Sequence, residues 1–315
     1  MLALAGIPLG LSFRFLDPAA DAPAGEVGEL LVGAYDDPEL LDRLADGAEA
    51  VTYEFENVPV EAARRVGAVP GALALEHGQD RLVEKQLFER LGIPTAAFGS
   101  PQPPVVIKSR RLGYDGKGQR IERGNYLTGD HELVEELVQF DREVSLLAVR
   151  GHDGETRFYP LVENLHEGGI LRTSRAPAAD APQAEAEEYG TRLLDALGYV
   201  GVLALELFDV GGTLLANEFA PRVHNTGHWT IEGAATSQFE NHLRAILGLP
   251  LGSTESRTSL MVNLIGTVPP TEAVLAIPGA HLHRYGKEPR PGRKLGHVTL
   301  IDPTAERERA LRDLC

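Results

Sequence analysis

The stretch Glu206–Trp229 (ELFDVGGTLLANEFAPRVHNTGHW), with the apolar run that leads into it, restricts the possible folds more than any other part of the chain. Val202–Phe208 (VLALELF) is apolar and β-compatible apart from Glu206. Gly211-Gly212 can supply the positive φ of a two-residue hairpin turn. Leu214–Phe219 (LLANEF) then returns with Asn217 and Glu218 set in a second apolar run. Two carboxylates facing one another across a hairpin repel, and a buried carboxylate without a partner is costly. A divalent cation removes both difficulties. Mg²⁺ takes hard oxygen ligands, one or two of them carboxylates, and fills its octahedron with water and substrate phosphates. The alternative is a pair of edge-strand carboxylates in water. The loop that follows favours the first reading, because Arg222, His224, Asn225 and His228 fall within seven residues.

The chain has 315 residues, enough for two or three domains with sizeable cores. Its formal net charge of −16, with no basic block, argues against a nucleic-acid surface, so an anionic substrate must be held by a few local cations. Cys315 is the only cysteine, which excludes an internal disulfide framework and fits the reducing cytoplasm. No apolar run approaches the roughly 18 residues of a membrane span, and no signal peptide is recognisable.

Taken in order, the chain opens with the end of a helix at Met1–Gly6, followed by strand candidates at Leu11–Leu16, Glu29–Tyr35 and Ala50–Phe55 and a helix at Pro38–Ala45. Alternating short strands and helices predict an α/β layer with a parallel sheet. Glu54, Glu56 and Asn57 close the third strand, where they could line a pocket; Asn57 could equally cap a helix beginning at Pro59. Gln79–Leu91 is an amphipathic helix, stopped by Gly92-Ile93-Pro94, on which Arg81 and Lys85 read as solvated surface charges. Val105–Ile107 is a buried strand ending in Lys108, and Gly113-Tyr114-Asp115-Gly116-Lys117-Gly118-Gln119 follows. Its three glycines let backbone N–H groups close around phosphate oxygens, although it matches neither GxxxxGK[ST] nor GxGxxG. Glu132–Val138 reads as a helix-to-strand passage into Phe140–Val149. Phe158–Leu165 and Leu171–Pro177 make a further strand pair, with His166 between them, and Glu185–Leu197 is a helix capped by Gly198.

The stretches TYEFENVP, QDRLVEKQLFERLGIPT, VVIKSRRLGYDGKGQ, FDREVSLLAVRG, YPLVENLHEGGILRTSRAPA, NEFAPRVHNTGHWTIEGAATSQFENHLRAILGLPLG, MVNLIG and RPGRKLGHVTL together resemble the N5-carboxyaminoimidazole ribonucleotide synthetase family of ATP-grasp enzymes. The resemblance runs from about Thr52 to Leu300 in family order. It implies an α/β (α+β) ATP-grasp fold. An N-terminal parallel-sheet domain would span 1–76, a linker helix and small lid 77–140, and a catalytic domain with a small terminal subdomain 141–315. It implies that ATP, bicarbonate and 5-aminoimidazole ribonucleotide give the N5-carboxylated ribonucleotide, ADP and phosphate through carboxyphosphate, in purine biosynthesis. Lys108 and the loop Gly113, Tyr114, Asp115, Gly116, Lys117, Gly118 and Gln119 would hold ATP phosphates. Glu135, Glu136, Leu137 and Val138 would bind adenine and Glu143 the ribose, with Arg81, His166 and Asn217 also at the nucleotide. Glu206 and Glu218 would hold Mg²⁺ (Mn²⁺ as an alternative). Tyr114 and Asp115 approach the aminoimidazole, Arg222, His224, Asn225 and Thr226 floor the ribonucleotide and carboxyphosphate site, and Lys287, Arg293 and Lys294 grip the 5′-phosphate. Catalysis would fall to Arg222, His224, Asn225 and Asp115. A homodimer in the cytoplasm is also implied, with neither nucleic acid nor membrane as partner.

The sequence departs from the family in four places. The family opens with a strand and a GGGQLG-type turn, and here the chain begins after them. The link Phe98–Pro104 and the stretch Ile121–Glu132 are shorter than usual, the latter without a helix and strand of the lid. A native chain without its first parallel strand would expose an apolar sheet edge, so the absent segments are expected to belong to the protein. Thr226 stands where serine is usual and keeps the hydroxyl.

Overall fold

The computed structural model describes residues 1–113 and 118–315. In the N-terminal part, helix α1 (Leu2–Gly6) precedes strands β1 (Arg14–Asp17) and β2 (Glu29–Val32), which form a two-stranded parallel sheet. Helices α2 (Pro38–Ala45), α3 (Val60–Arg65) and α4 (Ala72–Gly78) follow. Ala50–Phe55 does not join the sheet. Its backbone runs without strand pairing and meets Val69, whose N–H donates to Val51 O at 2.8 Å, so β-propensity here finds no ladder to complete. Asn57 does not cap α3, because Pro59 occupies the N-cap without a side-chain cap.

Helix α5 (Arg81–Arg90) starts at Asp80, whose carboxylate accepts from Leu82 N at 3.1 Å, an N-cap that the sequence places two residues before the first apolar turn. Strands β3 (Val105–Ser109), β4 (Gln119–Glu122) and β5 (Glu132–Glu136) form a small antiparallel sheet in the order β4-β3-β5, with no helix between β4 and β5. Glu132–Glu136 is therefore strand and not the end of a helix. Its Glu and Leu residues favour helix locally, but pairing along all of β3 and burial of Leu133, Val134 and Glu135 override that preference.

The main body is a nine-stranded antiparallel sheet in the order β11-β10-β6-β8-β9-β12-β14-β13, with β7 on β6. Its strands are β6 (Arg142–Arg150), β7 (Thr156–Phe158), β8 (Val162–Glu167), β9 (Ile170–Ala176), β10 (Gly201–Val210), β11 (Thr213–Ala220), β12 (Ser259–Ile265), β13 (Ala280–Arg284) and β14 (Lys294–Ile301). Helix α6 (Gln183–Ala196) covers one face, where Leu203, Leu205 and Leu207 meet Leu193 and Leu194. The other face packs on α7 (Thr230–Gly233) and α8 (Gln238–Ile246), where Val202 and Ala204 meet Trp229, Phe239 and Leu243. Helices α9 (Thr271–Leu275) and α10 (Ala305–Leu314) close a separate small core over β12–β14.

The β10–β11 hairpin forms as its sequence predicts. Gly211 and Gly212 take φ of 60° and 83°, a pair of left-handed positions that glycine occupies without Cβ strain. Glu206 and Glu218 are cross-strand partners. Alternation puts them in line with Ala204 and Ala220, on the face where the apolar core gives way to a cleft. The register shifts immediately beyond them, leaving Asn217 as the extra residue of a bulge.

Candidate active site

The two hairpin carboxylates occupy unlike surroundings. Glu218 receives an ion-paired hydrogen bond from the Arg81 guanidinium on α5, with 36% of its side chain still accessible. Burial alone would raise its pKa, but Arg81, and Lys108 beyond it, hold it well below the ordinary carboxylate value. Glu206 has no such cation. Burial, then the charge of Glu218, pushes it up to about 7. His224 Nε2 lies 3.4 Å from Glu206 Oε1, but burial and the charges of Arg222 and Lys294 keep that imidazole neutral, far below its usual range. Two carboxylates share a wall, one without a balancing charge, and this donor set fits a hard divalent cation that takes two protein oxygens and the rest from phosphates. Among the described residues no third acidic, His or Cys ligand joins them.

Lysines approach from the small sheet and from α5. Lys108 Nζ donates to Glu135 Oε2 at 2.9 Å and to Asn217 Oδ1 at 3.1 Å, so the bulge of β11 meets β3 of the small sheet. Lys85, 1% exposed, reaches Glu135 Oε2 at 3.3 Å and Thr95 Oγ1 at 2.8 Å. Arg81 and Lys85 are thus interior charges, not surface ones. The next residue in the row, Glu84, is buried and accepts from Phe219 N at 2.6 Å. Both lysines meet Glu135 at Oε2, and its Oε1 is buried without a partner among the described residues, while Glu136 N donates to Ala97 O and Leu137 N to Pro104 O. Glu143 Oε2 lies 2.6 Å from His166 Nδ1. Burial would lower the pKa of His166, but Glu143 and the nearby Glu206 raise it.

Of the glycine-rich loop, Tyr114, Asp115, Gly116 and Lys117 lie outside the described residues. At its downstream edge Gly118 has φ +75°, and its carbonyl accepts from Ser109 N at 2.6 Å; a Cβ there would meet Ser109 Oγ at 2.6 Å. Gln119 begins β4, and Gly113 O accepts from Arg81 Nη2 at 3.3 Å.

The loop after β11 opens into a cleft of about 200 Å³ whose lining includes Glu54, Arg222, His224, Asn225, Lys287 and Lys294. Arg222 Nη2 pairs with Glu56 Oε2 at 2.7 Å, but its buried Nε has no partner among the described residues. Both amide atoms of Asn225 are likewise buried and unpartnered. Such atoms rarely go unmet in a folded protein, and here they sit beside the cleft. Thr226 is fully buried and bonds His224 Nδ1 at 3.0 Å, so it holds the histidine and does not floor the cleft. Gln238 of α8 clasps the same loop twice, accepting from His224 N at 2.9 Å and donating to His224 O at 2.6 Å. Arg293 donates to Glu288 O at 3.1 Å and does not line the cleft, unlike Lys287 and Lys294. Sequence reasoning missed Lys85, Glu84, Gln238 and Tyr285; no local signal marks the first two, whose buried partners Glu135 and Phe219 N lie far away in sequence.

A hairpin bearing two acids, a lysine from a small antiparallel sheet and a basic cleft beyond define an ATP-grasp ligase. Family models agree in chain order: a ribonucleotide synthetase preATP-grasp domain over residues 1–76, an ATP-grasp domain over 89–239, and a phosphoribosylaminoimidazole carboxylase C-terminal domain over 259–310. The N5-carboxyaminoimidazole ribonucleotide synthase of Pseudomonas aeruginosa is 52% identical over 326 residues, covering 95% of this chain and 91% of that protein. The chain belongs to the N5-carboxyaminoimidazole ribonucleotide synthase family. The crystal structure of the synthetase from Thermus thermophilus matches at TM-score 0.93 and 56% identity, over 100% of this chain and 94% of that one. The Aspergillus clavatus synthase in complex with ADP and 5-aminoimidazole ribonucleotide matches at TM-score 0.88 and 30% identity, over 100% and 94%.

Proposed function

We propose that this chain carboxylates 5-aminoimidazole ribonucleotide at its exocyclic amine, consuming ATP and bicarbonate. The observation that carries this reading is the continuity of the Glu206–Glu218 pair with Arg222, His224 and Asn225, and of these with Lys287 and Lys294 in one cleft. ATP phosphates belong at the acidic hairpin beside Lys108, and the ribonucleotide in the cleft. Glu206 and Glu218 would hold Mg²⁺, which supplies charge neutralisation to the transferring phosphoryl group. Bicarbonate attacks the γ-phosphorus to give carboxyphosphate and ADP. The unpartnered Arg222 Nε–H and Asn225 Nδ2–H would donate to that anion's oxygens. The substrate amine then takes the carboxyl carbon and phosphate leaves. Water must be kept out, because carboxyphosphate hydrolyses readily. The division at residues 76 and 140 into an N-terminal domain, a lid and a catalytic body belongs to the same proposal, as do action in the cytoplasm and as a homodimer.

The deciding experiment measures phosphate release from ATP with bicarbonate and aminoimidazole ribonucleotide supplied singly and together. Joint dependence, with carboxylated product equal to ADP, is expected. Release driven by a different acceptor from a panel of amines and carboxylates would overturn the assignment.

A further inference from the structure

His228 lies in the same loop as His224 and lines the same cleft, yet the chemistry above gives it nothing to do. Its ring is closely packed. It stacks on His297 at 4.9 Å between centroids, lies edge-on to Tyr285 at 6.1 Å and leans on Phe239 at 5.5 Å. His297 stacks in turn on His283 at 4.5 Å, and His283 Nε2 lies 2.5 Å from Glu232 Oε1. Between the first two rings sits one hydroxyl: Tyr285 Oη is 3.1 Å from His228 Nδ1 and 2.7 Å from His297 Nδ1.

Tyr285 Oη has these two nitrogens as its only partners among the described residues, and accepting from both would leave its own O–H without an acceptor, so Tyr285 donates to one Nδ1 and accepts from the other. Both imidazoles are neutral. Burial drives His228 down to about 3, and burial also puts His297 far below its usual range. The chain can therefore run in only two directions. If Tyr285 donated to His297, that ring would carry its proton on Nε2, which is buried without a partner among the described residues. If Tyr285 donates to His228, His297 is protonated at Nδ1 and leaves only a lone pair at Nε2. Buried N–H donors are almost always paired, so the second direction is favoured. A neutral His228 accepting at Nδ1 must carry its proton on Nε2.

We propose that His228 presents a fixed Nε2–H donor to an acceptor atom of the ribonucleotide in the cleft, held in that tautomer by Tyr285 and His297. It orients substrate and does not take a proton. Tyr285 and His297 are positioning residues, and the Tyr285 ring, with Lys287 Nζ 5.6 Å from its centroid, also supports a cleft lysine. The ligand's identity rests on the proposed function; the tautomer does not.

The test is a long-range ¹H–¹⁵N correlation spectrum of the full chain labelled at histidine, assigned with His228→Gln and His297→Gln. His228 is expected as the Nε2–H tautomer and His297 as the Nδ1–H tautomer across the neutral pH range, with His228 signals moving on saturation with aminoimidazole ribonucleotide. His228→Leu should raise KM for the ribonucleotide about tenfold, the worth of one lost hydrogen bond beside an unmet acceptor, with KM for ATP unchanged. His228→Gln, whose amide N–H reaches the Nε2 position, should recover most of that loss. Tyr285→Phe keeps the ring but should leave His228 as a mixture of tautomers. A proton on Nδ1 of His228, an imidazolium at neutral pH, or equal KM in His228→Leu and wild type would overturn the inference. If His224 signals respond to ribonucleotide and those of His228 do not, this inference alone falls; if neither responds, the proposed function falls with it.

Discussion

Lys85 supplies the positive charge that Glu135 would otherwise remove from Lys108. Two lysines and one carboxylate leave a net cation where ATP phosphates are proposed to sit, and Lys85, held by Thr95 and the Ala216 carbonyl, cannot leave it for solvent. Lys85→Met should therefore let Glu135 neutralise Lys108, raising KM for ATP about tenfold or more while KM for the ribonucleotide stays within a factor of about two. Equal rises in both would assign Lys85 to folding alone. Asp80 gives a pH signature of a different kind. It is 3% exposed, caps α5 and accepts from Arg110 at 3.0 and 2.8 Å and from Arg111 at 3.2 Å. Burial alone would raise its pKa, but the two guanidinium groups and the Leu82 N–H hold it below the ordinary aspartate value. A folded pKa below the unfolded one means that its contribution to stability is complete above the unfolded pKa and lost as pH falls through the folded one. Thermal melts of Asp80→Asn should show a lower Tm than wild type at neutral pH and a smaller further drop in the acid range. Parallel curves would show that the carboxylate does not titrate with unfolding.

The β10–β11 hairpin and the turn after it form one working unit, and Gly227 is where that unit tolerates least change. A Cβ at Gly227 would lie 2.5 Å from Leu147 Cδ1 and 2.7 Å from Gln238 Oε1, the atom that receives His224 N. Gly227→Ala should push Gln238 off His224 and lower kcat about tenfold or more, with a loss of stability of about 1–3 kcal/mol, typical of overpacking. A normal kcat in a folded variant would show that Gln238 does not set the histidine. The hairpin is legible in the sequence because everything that specifies it is local: period-two alternation, a Gly-Gly turn and acids set in apolar runs. The charges of α5 are not. Arg81, Glu84 and Lys85 have the composition of a solvated helix face, and only Glu218, Phe219 N and Glu135, distant in sequence, make that face interior. Ala50–Phe55 and Glu132–Glu136 fail for the converse reason. Local propensity favours strand in the first and helix in the second, and the available sheet edge decides each. His228 was visible only as one more polar residue, because its partners Tyr285 and His297 lie more than fifty residues downstream.

Three parts of the molecule converge on the proposed reaction: α5 and the loop bearing Glu56, the small sheet bearing Lys108, and the large sheet bearing both acids and the loop from Arg222 to His228. The N-terminal part reaches the loop after β11 through the ion pair of Glu56 with Arg222, 2.7 Å. That pair fixes a guanidinium whose free Nε faces no protein acceptor among the described residues. Lysine at this position would keep the charge but lose the planar fork and the bond to Glu56. Arg222→Lys should therefore lower kcat with KM for ATP nearly unchanged, since the proposed ATP site lies at Lys108 and the acidic hairpin. His224 tests the step after. It is held neutral between Glu206 and Thr226, beside the acidic pair and on the wall of the cleft proposed for the ribonucleotide. Its removal leaves the Glu206–Glu218 pair and Lys108 intact, so carboxyphosphate can still form, but it opens space for water between that anion and the amine. His224→Ala should thus retain bicarbonate-dependent ATP hydrolysis while product formation falls further. ADP and carboxylated ribonucleotide are measured in the same tube. A ratio well above one is expected for His224→Ala and near one for Arg222→Lys, which slows formation of the intermediate without exposing it. A ratio near one in both would show that His224 does not protect carboxyphosphate.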